Sequence, residues 1–347
     1  MNRRREADEA LRPPGSRRST HARAPRGRVG HSIYSPPLRV RRAIKATAWA
    51  LIATGVALPA LRRRLKIPPA AVLGGAGLTP AALCVAIPRS RARDAGVCAL
   101  NMWAYLAAYE MPNDDPDKLA ARVLVDYPVA IDRVLGLGVP PTLRLQRAFS
   151  TPRRVNRFER VLVWCHWMWF AVPHATVAFV LCRAPERFPS AAARMYGVFD
   201  AGAVFYWAIP TAPPWYAAAR GRLDGDDALH VRRMMIEYGE QFWGERWGAL
   251  YDVLGGNPLA AMPSLHFATS LMAAHLLSEV GPIAGTVGWI YAATLGLALV
   301  YLGEHYAADL LGGAVLAEGV RSLAPRCEPL YRRLSAGMQA LELRAET

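Results

Sequence analysis

The chain has 347 residues, 53% of them hydrophobic and 20% charged, and a formal net charge of +15. Its apolar residues are gathered into long segments instead of recurring at the period of a soluble domain, which excludes a single water-soluble core and points to an all-α, polytopic membrane helical bundle. The basic excess sits toward the ends without aromatic or glycine patterning, so it gives no support to a nucleic-acid-binding domain. Residues 1–42 are rich in Arg, Pro, Gly and Ser and cannot bury a core; they read as a disordered, basic cytoplasmic tail. Attraction to anionic lipid head groups, about 1 kcal/mol per basic residue near a surface, is its simplest role. The first apolar run begins too late for a secretory signal and lacks a small-residue cleavage site.

Residues 43–90 read as an N-terminal apolar hairpin, Ala43–Ala60 and Ala70–Ile87, broken by Gly55, Pro59, Gly74, Gly75, Gly77 and Pro80; two full spans and a re-entrant loop both remain open. Residues 94–324 then carry six spans: Ala95–Met111, Phe158–Cys182, Ala191–Thr211, Ser264–Val280, Ile283–Leu302 and Tyr306–Leu323. Between the first two lies an outer segment, 112–157, that opens on Asp114-Asp115-Pro116-Asp117. These carboxylates suit helix capping better than cation or sugar binding. The helix-period residues Leu119, Val123, Val134, Leu135 and Leu143 then predict an amphipathic helix pair lying on the membrane and roofing a site. A second outer segment, 213–262, includes the stretch Asp224 to Leu254, where Trp243 and Trp247 have the spacing of interface anchors. Asp200 falls mid-span, where a carboxylate calls for a partner such as His166, His174 or Arg194, or marks a polar route. Gly312, Gly313 and Ala317 suit close helix packing. Residues 325–347 are a C-terminal tail. Five scattered cysteines give neither a disulfide framework nor a zinc motif.

Arg89, Arg91 and Arg93, then Arg183, Arg187 and Arg194, then Arg321, Arg326, Arg332 and Arg333 mark three connections as cytoplasmic, with both termini inside. Arg62, Arg63, Arg64 and Lys66 fall on the opposite side if the first hairpin spans fully, a conflict the charge rule alone does not resolve.

Two short runs carry the chemistry: Pro263-Ser264-Leu265-His266 and Gly303-Glu304-His305-Tyr306-Ala307-Ala308-Asp309. The apolar stretch after His266 turns at Gly281-Pro282 and returns, and at about 1.5 Å per residue the two paths nearly cancel, which brings His266 and His305 to one membrane face. Asp309, four residues beyond His305, shares its helix face. A neutral His305 can attack phosphorus, with Asp309 holding the tautomer and stabilising the imidazolium. His266 has the pKa range of a general acid that protonates the leaving oxygen. Ser264 reads as a helix cap, leaving free amides beside His266 for an anion. A metal half-site and two hydrogen-bonded interfacial histidines are the other readings of these residues; phosphoryl transfer accounts best for the paired placement.

The two runs resemble the second and third signatures of the type 2 phosphatidic acid phosphatase superfamily, Pro-Ser-Gly-His and Ser-Arg-x5-His-x3-Asp. Leu265 replaces the Gly, and Ala298 and Leu299 stand where Ser and Arg would be. Leu265, the His305-Tyr306 pair and the run Pro210-Thr211-Ala212-Pro213-Pro214-Trp215 are similar to the inositol phosphorylceramide synthase-like branch, across roughly Ala95 to Ala324. That resemblance implies a six-helix catalytic core at 94–324, His305, His266 and Asp309 as catalytic residues, and Ser264, Leu265, Tyr306 and Trp215 as substrate-binding. The missing Arg leaves the phosphate clamp to Arg220 and Arg222, which follow the Pro-rich run where the first signature would place its basic residues; Arg153, Arg154 and Arg157 compete.

The resulting expectation is an integral membrane lipid phosphotransferase or phosphatase that needs neither metal nor cofactor and forms a phosphohistidine on His305. Its donor is a prenyl or glycerolipid phosphate or a phosphoinositol lipid; its acceptor is water or a hydroxyl. It is placed in the plasma membrane with its site on the non-cytoplasmic face, a membrane lipid as substrate and no nucleic-acid partner. Simple lipid phosphate hydrolysis is the alternative. A transporter or lipid flippase using His266, Asp309 and Asp200 is the competing class, and no internal symmetry supports it.

Overall fold

In the computed structural model the described residues are 37–151, 154–223 and 231–346, with 252–255 described by backbone alone. The expected tail therefore lies outside them as far as residue 36, as do Arg153 and the start of the stretch from Asp224. Helix α1 (Leu38–Leu65) begins before the expected span, and α2 (Pro69–Ala86) runs back against it after a turn at Lys66, whose φ is 51°. The glycines that seemed to interrupt this hairpin are its packing seam. A Cβ on Gly55 would lie 2.4 Å from the Gly75 carbonyl oxygen and 2.3 Å from the Thr79 methyl, so only bare backbone permits this approach. Both helices are long and apolar enough to cross a membrane.

Helix α3 (Arg91–Glu110) starts at Ser90, whose hydroxyl accepts from the Arg93 amide. Its far end meets the basic turn of the first hairpin. Arg62 donates to Glu110 and Asp114, at 2.9 Å each, and Arg63 to Asp114 at 2.6 Å, so the basic turn of the hairpin meets acids. Partial burial works against ionising Asp114, but these bonds hold its carboxyl below the usual range.

The first outer segment is three short helices, α4 (Pro116–Arg122), α5 (Asp126–Leu135) and α6 (Pro141–Phe149), instead of an amphipathic pair. Prolines open α4 and α6, and Asp115 caps α4 by accepting from the Lys118 amide. The expected span Phe158–Cys182 is also divided, into α7 (Arg157–Met168) and α8 (Val172–Arg183), bent by 57°. Pro173, in the first turn of α8, cannot donate to the preceding turn, so the helix restarts there.

Helix α9 (Phe188–Ala208) and the short outer helices α10 (Pro214–Ala219), α11 (Met234–Trp243) and α12 (Arg246–Gly255) lead to α13 (Leu265–Val280), α14 (Pro282–Tyr301) and α15 (Ala307–Glu346). Helix α14 is a third helix long and apolar enough to cross a membrane, and α7 with α8 is a fourth if counted as one broken span. The last helix does not stop at Leu323. It continues through Pro325 and Pro329 to Glu346, and near its end Glu342 pairs at 3.1 Å with Arg93, itself buried.

The main core joins α3, α8, α9, α13 and α15 through buried residues including Met195, Phe199, Met272 and Ala317. Strand-like pairing among the described residues is limited to two isolated bridges, Leu124 with Thr211 and Thr211 with Ala260. They tie the first outer segment, the Pro-rich run and the approach to α13 into one roof.

Candidate active site

Ser264 caps α13, its hydroxyl accepting from the Phe267 amide, while its own amide donates to the Asp309 carbonyl at 3.0 Å. This bond joins the starts of α13 and α15. Gly313 makes the approach possible, because a Cβ there would lie 2.5 Å from the Ser264 carbonyl oxygen. The connection from α14 turns at Gly303, whose φ of 82° suits glycine, and the Leu299 carbonyl then accepts from the amides of both Glu304 and His305.

The two histidines meet as their spacing predicted. His266 Nδ1 lies 3.2 Å from His305 Nε2, and His305 Nδ1 lies 3.2 Å from Asp309 Oδ2. Asp309 is fully buried and its Oδ2 also accepts from the Tyr306 amide at 2.9 Å. A carboxylate in this position favours the Nδ1–H tautomer of His305 and leaves Nε2 as the basic nitrogen facing His266.

Helix α7 brings a third imidazole. His166 is buried with its ring centroid 4.8 Å from that of His266, and its Nδ1 has no partner. At the break after α7, Trp169 packs on His266 with centroids 4.0 Å apart and donates to Thr269 Oγ1 at 2.8 Å. The bend between α7 and α8 thus places both residues at the site. Among the described residues no three His, Cys, Asp or Glu side chains form a group that could hold a metal.

Above the histidines is a cavity of about 110 Å³. Its floor includes His166, His266, Glu304 and His305, and its walls include Tyr109, Trp167, Trp215, Trp247, Tyr251 and Asn257. Trp215 is where the resemblance implied. Trp247 is 5% exposed and walls the cavity, so it is not the interface anchor expected from its spacing; Trp243 remains exposed. Glu304 has a buried oxygen without a partner. Burial pushes its carboxyl up, against the pull of Arg233 and His305.

Other assigned side chains lie elsewhere. Leu265 is 2% exposed and packs over Gly202; Tyr306 is buried in a cluster with Val129, Leu143 and Ala308. Ser264 is buried at its cap. Arg220 stacks on Tyr216 at 3.7 Å, and Arg222 reaches Asp126 at 3.8 Å; both are exposed and neither lines the cavity. Arg154 and Arg157 are exposed as well.

Arg233 does not line the cavity but packs behind two of its wall residues, Trp215 and Tyr251, a placement the spacing argument missed. Its guanidinium lies 3.9 Å from the Trp215 ring centroid and donates to the Tyr251 hydroxyl at 2.7 Å, while Nε is buried without a partner. The signal available was the basic pair Arg232-Arg233 opening α11; its neighbour Arg232 is taken up by Glu237 and the Thr151 carbonyl. Asp200 meets none of its proposed partners. It faces a separate groove beside Asn101 and Trp207, while His174 stacks on Phe199 and Arg194 pairs with Glu279.

A family model described as the PAP2 superfamily matches residues 129–322, from α5 to within α15. Over 162 residues the chain is 28% identical to an inositol phosphorylceramide synthase of Candida albicans, covering 44% of this chain and 33% of that protein. It is 27% identical to the inositol phosphorylceramide synthase catalytic subunit aur1 of Schizosaccharomyces pombe, covering 44% and 37%. The chain thus spans little more than a third of the length of these curated relatives. No solved structure matches. The apolar helices and these membrane-enzyme relatives make the chain a multi-pass membrane protein. With a family match over more than half of its 347 residues, the chain belongs to the PAP2 superfamily.

Proposed function

We propose that this protein moves a phosphorylated head group from a lipid donor to a hydroxyl acceptor through a phosphohistidine on His305, without a metal ion. The observation that carries this reading is the relay Asp309, His305, His266, with 3.2 Å between each pair of facing atoms and both histidines lining an aromatic cavity. His305 Nε2 attacks phosphorus; the N–P bond forms as the P–O bond to the donor lipid breaks, and His266 gives its proton to the departing oxygen. Asp309 stabilises the imidazolium that results. In the second half-reaction His266 takes the proton of the acceptor hydroxyl, whose oxygen attacks phosphorus and releases His305.

Arg233 holds the phosphoryl oxygens, the task left open where Ala298 and Leu299 replace Ser and Arg. Trp215 keeps its guanidinium in place from one face. Glu304 and Asn257 among aromatic walls suit a head group with several hydroxyls, which favours a phosphoinositol-type donor over a bare phosphate monoester. The names of the curated relatives agree with that class. The site faces the non-cytoplasmic side of the plasma membrane, the termini are cytoplasmic, and the basic residues of 1–42 attract anionic lipids.

Product partition tests this reading. With purified protein and fluorescent phosphatidylinositol as donor, rising concentrations of a lipid or polyol alcohol should capture most of the phosphorylated head group with ping-pong kinetics, and a chelator should leave the rate unchanged. If only hydrolysis products appear across a broad acceptor panel, lipid phosphate hydrolysis is the function. Reversible loss with chelator, restored by zinc or manganese, would overturn the metal-free mechanism.

A further inference from the structure

Asp132 stands on α5, in the outer roof, yet it is fully buried and reaches the first turn of α15. Its Oδ1 accepts from the Ala308 amide at 2.8 Å and its Oδ2 from the Ala307 amide at 3.2 Å. Asp309 takes the Tyr306 amide. The three amides that follow His305 are therefore all bound by carboxylates of the protein itself. A helix start of this kind is ordinarily an electropositive anion site. Here a substrate phosphate has no free donor among these amides.

The reach of α5 is itself fixed. Tyr127 is within 2.8 Å of Thr211 Oγ1 and donates to the Met262 sulfur at 3.2 Å; Arg133 donates to the Leu223 carbonyl at 2.9 Å. The helix is thus tied to the Pro-rich run and to the approach to α13 as well as to α15. Burial raises the Asp132 carboxyl to about 6, against the pull of the two amides, so it is ionised at neutral pH. Burying a charge here is costly unless the bonds it makes serve the structure or the reaction.

We propose that Asp132 is a positioning residue for phosphoryl transfer: from the roof it clamps the first turn of α15 and offsets the positive helix pole beside the imidazole that must become cationic. The proposal rests on the assignment of His305 as the phosphorylated residue. Loss of Asp132 should slow formation of the phosphoenzyme while leaving donor binding, which uses the cavity walls and Arg233, nearly unchanged.

The test compares full-length wild type with Asp132→Asn and His305→Ala in mixed micelles of fluorescent phosphatidylinositol, reading KM, kcat, single-turnover phosphoenzyme formation and the thermal midpoint. The expected result for Asp132→Asn is a kcat and a phosphorylation rate lower by 10- to 100-fold, with KM within about twofold of wild type, as when a group acts only as the reaction proceeds. Wild-type kcat in a folded Asp132→Asn overturns the proposal, as does a rise in KM that accounts for the whole loss. If that variant aggregates, Asp132→Glu decides: reduced kcat at unchanged KM supports the clamp, and wild-type kcat overturns it. His305→Ala separates the two levels of the argument. Activity in His305→Ala removes the phosphohistidine reading itself, whereas an inactive His305→Ala beside an unimpaired Asp132→Asn removes only the positioning role.

Discussion

His266 and His305 meet across 39 residues of sequence, and His305 meets Asp309 across four, with His266 on α13, Asp309 on α15 and His305 in the bend that leads into α15. The roof is built differently: Asp132 reaches Ala307 across 175 residues, and Arg233 is set by Trp215 and Tyr251 from two other short helices. In the first region one helical hairpin and the bend from Gly303 into α15 determine which groups meet; His305 precedes α15, so it does not share a helix face with Asp309 as its spacing suggested. In the second, several short helices and the turns between them must be in place before any contact exists. The comparison separates the proposed reacting groups, set by two helix starts and one bend, from the proposed orienting groups, carried on an outer layer whose partners are remote in sequence.

The sharpest break of that comparison is at the relay. His305→Ala should abolish turnover and phosphoenzyme formation, while Asp309→Asn, which spoils the tautomer and the imidazolium's stabilisation, should retain a residue of activity some 10⁴-fold below wild type. Acid-labile, base-stable phosphoenzyme in wild type alone is the measurement. Full turnover in His305→Ala would move the chemistry away from α15.

Next in size is His266→Ala. It should lose roughly 10²- to 10⁴-fold on lipid esters, the range of a general acid, and far less on an activated aryl phosphate whose leaving group needs no proton. Equal losses on both substrates would assign His266 to phosphate binding or to support of the fold.

The roof is tested by its arginines. Arg233→Ala should lower kcat/KM by about 10²- to 10³-fold, as for removal of one preorganised donor to a developing oxyanion. Arg220→Ala and Arg222→Ala should stay within about twofold, since both are exposed and pair with Tyr216 and Asp126, which do not line the cavity. The reverse ranking would return the clamp to the end of the Pro-rich run.

The smallest effect is thermodynamic. The Asp132 carboxyl is raised from 3.8 to about 6 by burial, so the folded state holds this proton more tightly than the unfolded chain. Its contribution to stability is therefore fully present below about pH 4 and is lost as pH rises to about 6, after which it is flat. A thermal midpoint measured between pH 4 and 7 should show this falling component in wild type and not in Asp132→Asn. Parallel profiles would mean that Asp132 is not desolvated in solution.

Helix periodicity, span length and the two histidine motifs made the all-α membrane bundle and the meeting of His266 with His305 readable from residues alone, because each depends on contacts along one helix or across one short turn. Trp215 was reached through family resemblance; Leu265 and Tyr306, reached the same way, are packed into the protein interior. Gly55 and Gly75 looked like breaks because a glycine's local propensity is weak, whereas their packing role exists only once two helices face each other. Trp247 matched the spacing of a membrane anchor, and only the fold of α11 and α12 turned it inward. Arg233 carried only the weak signal of the pair Arg232-Arg233, and Asp132 carried no local pattern. Their positions depend on where short helices end and pack, so only tertiary contacts set Arg233 against Trp215 and Tyr251 and bring Asp132 to the amides of Ala307 and Ala308.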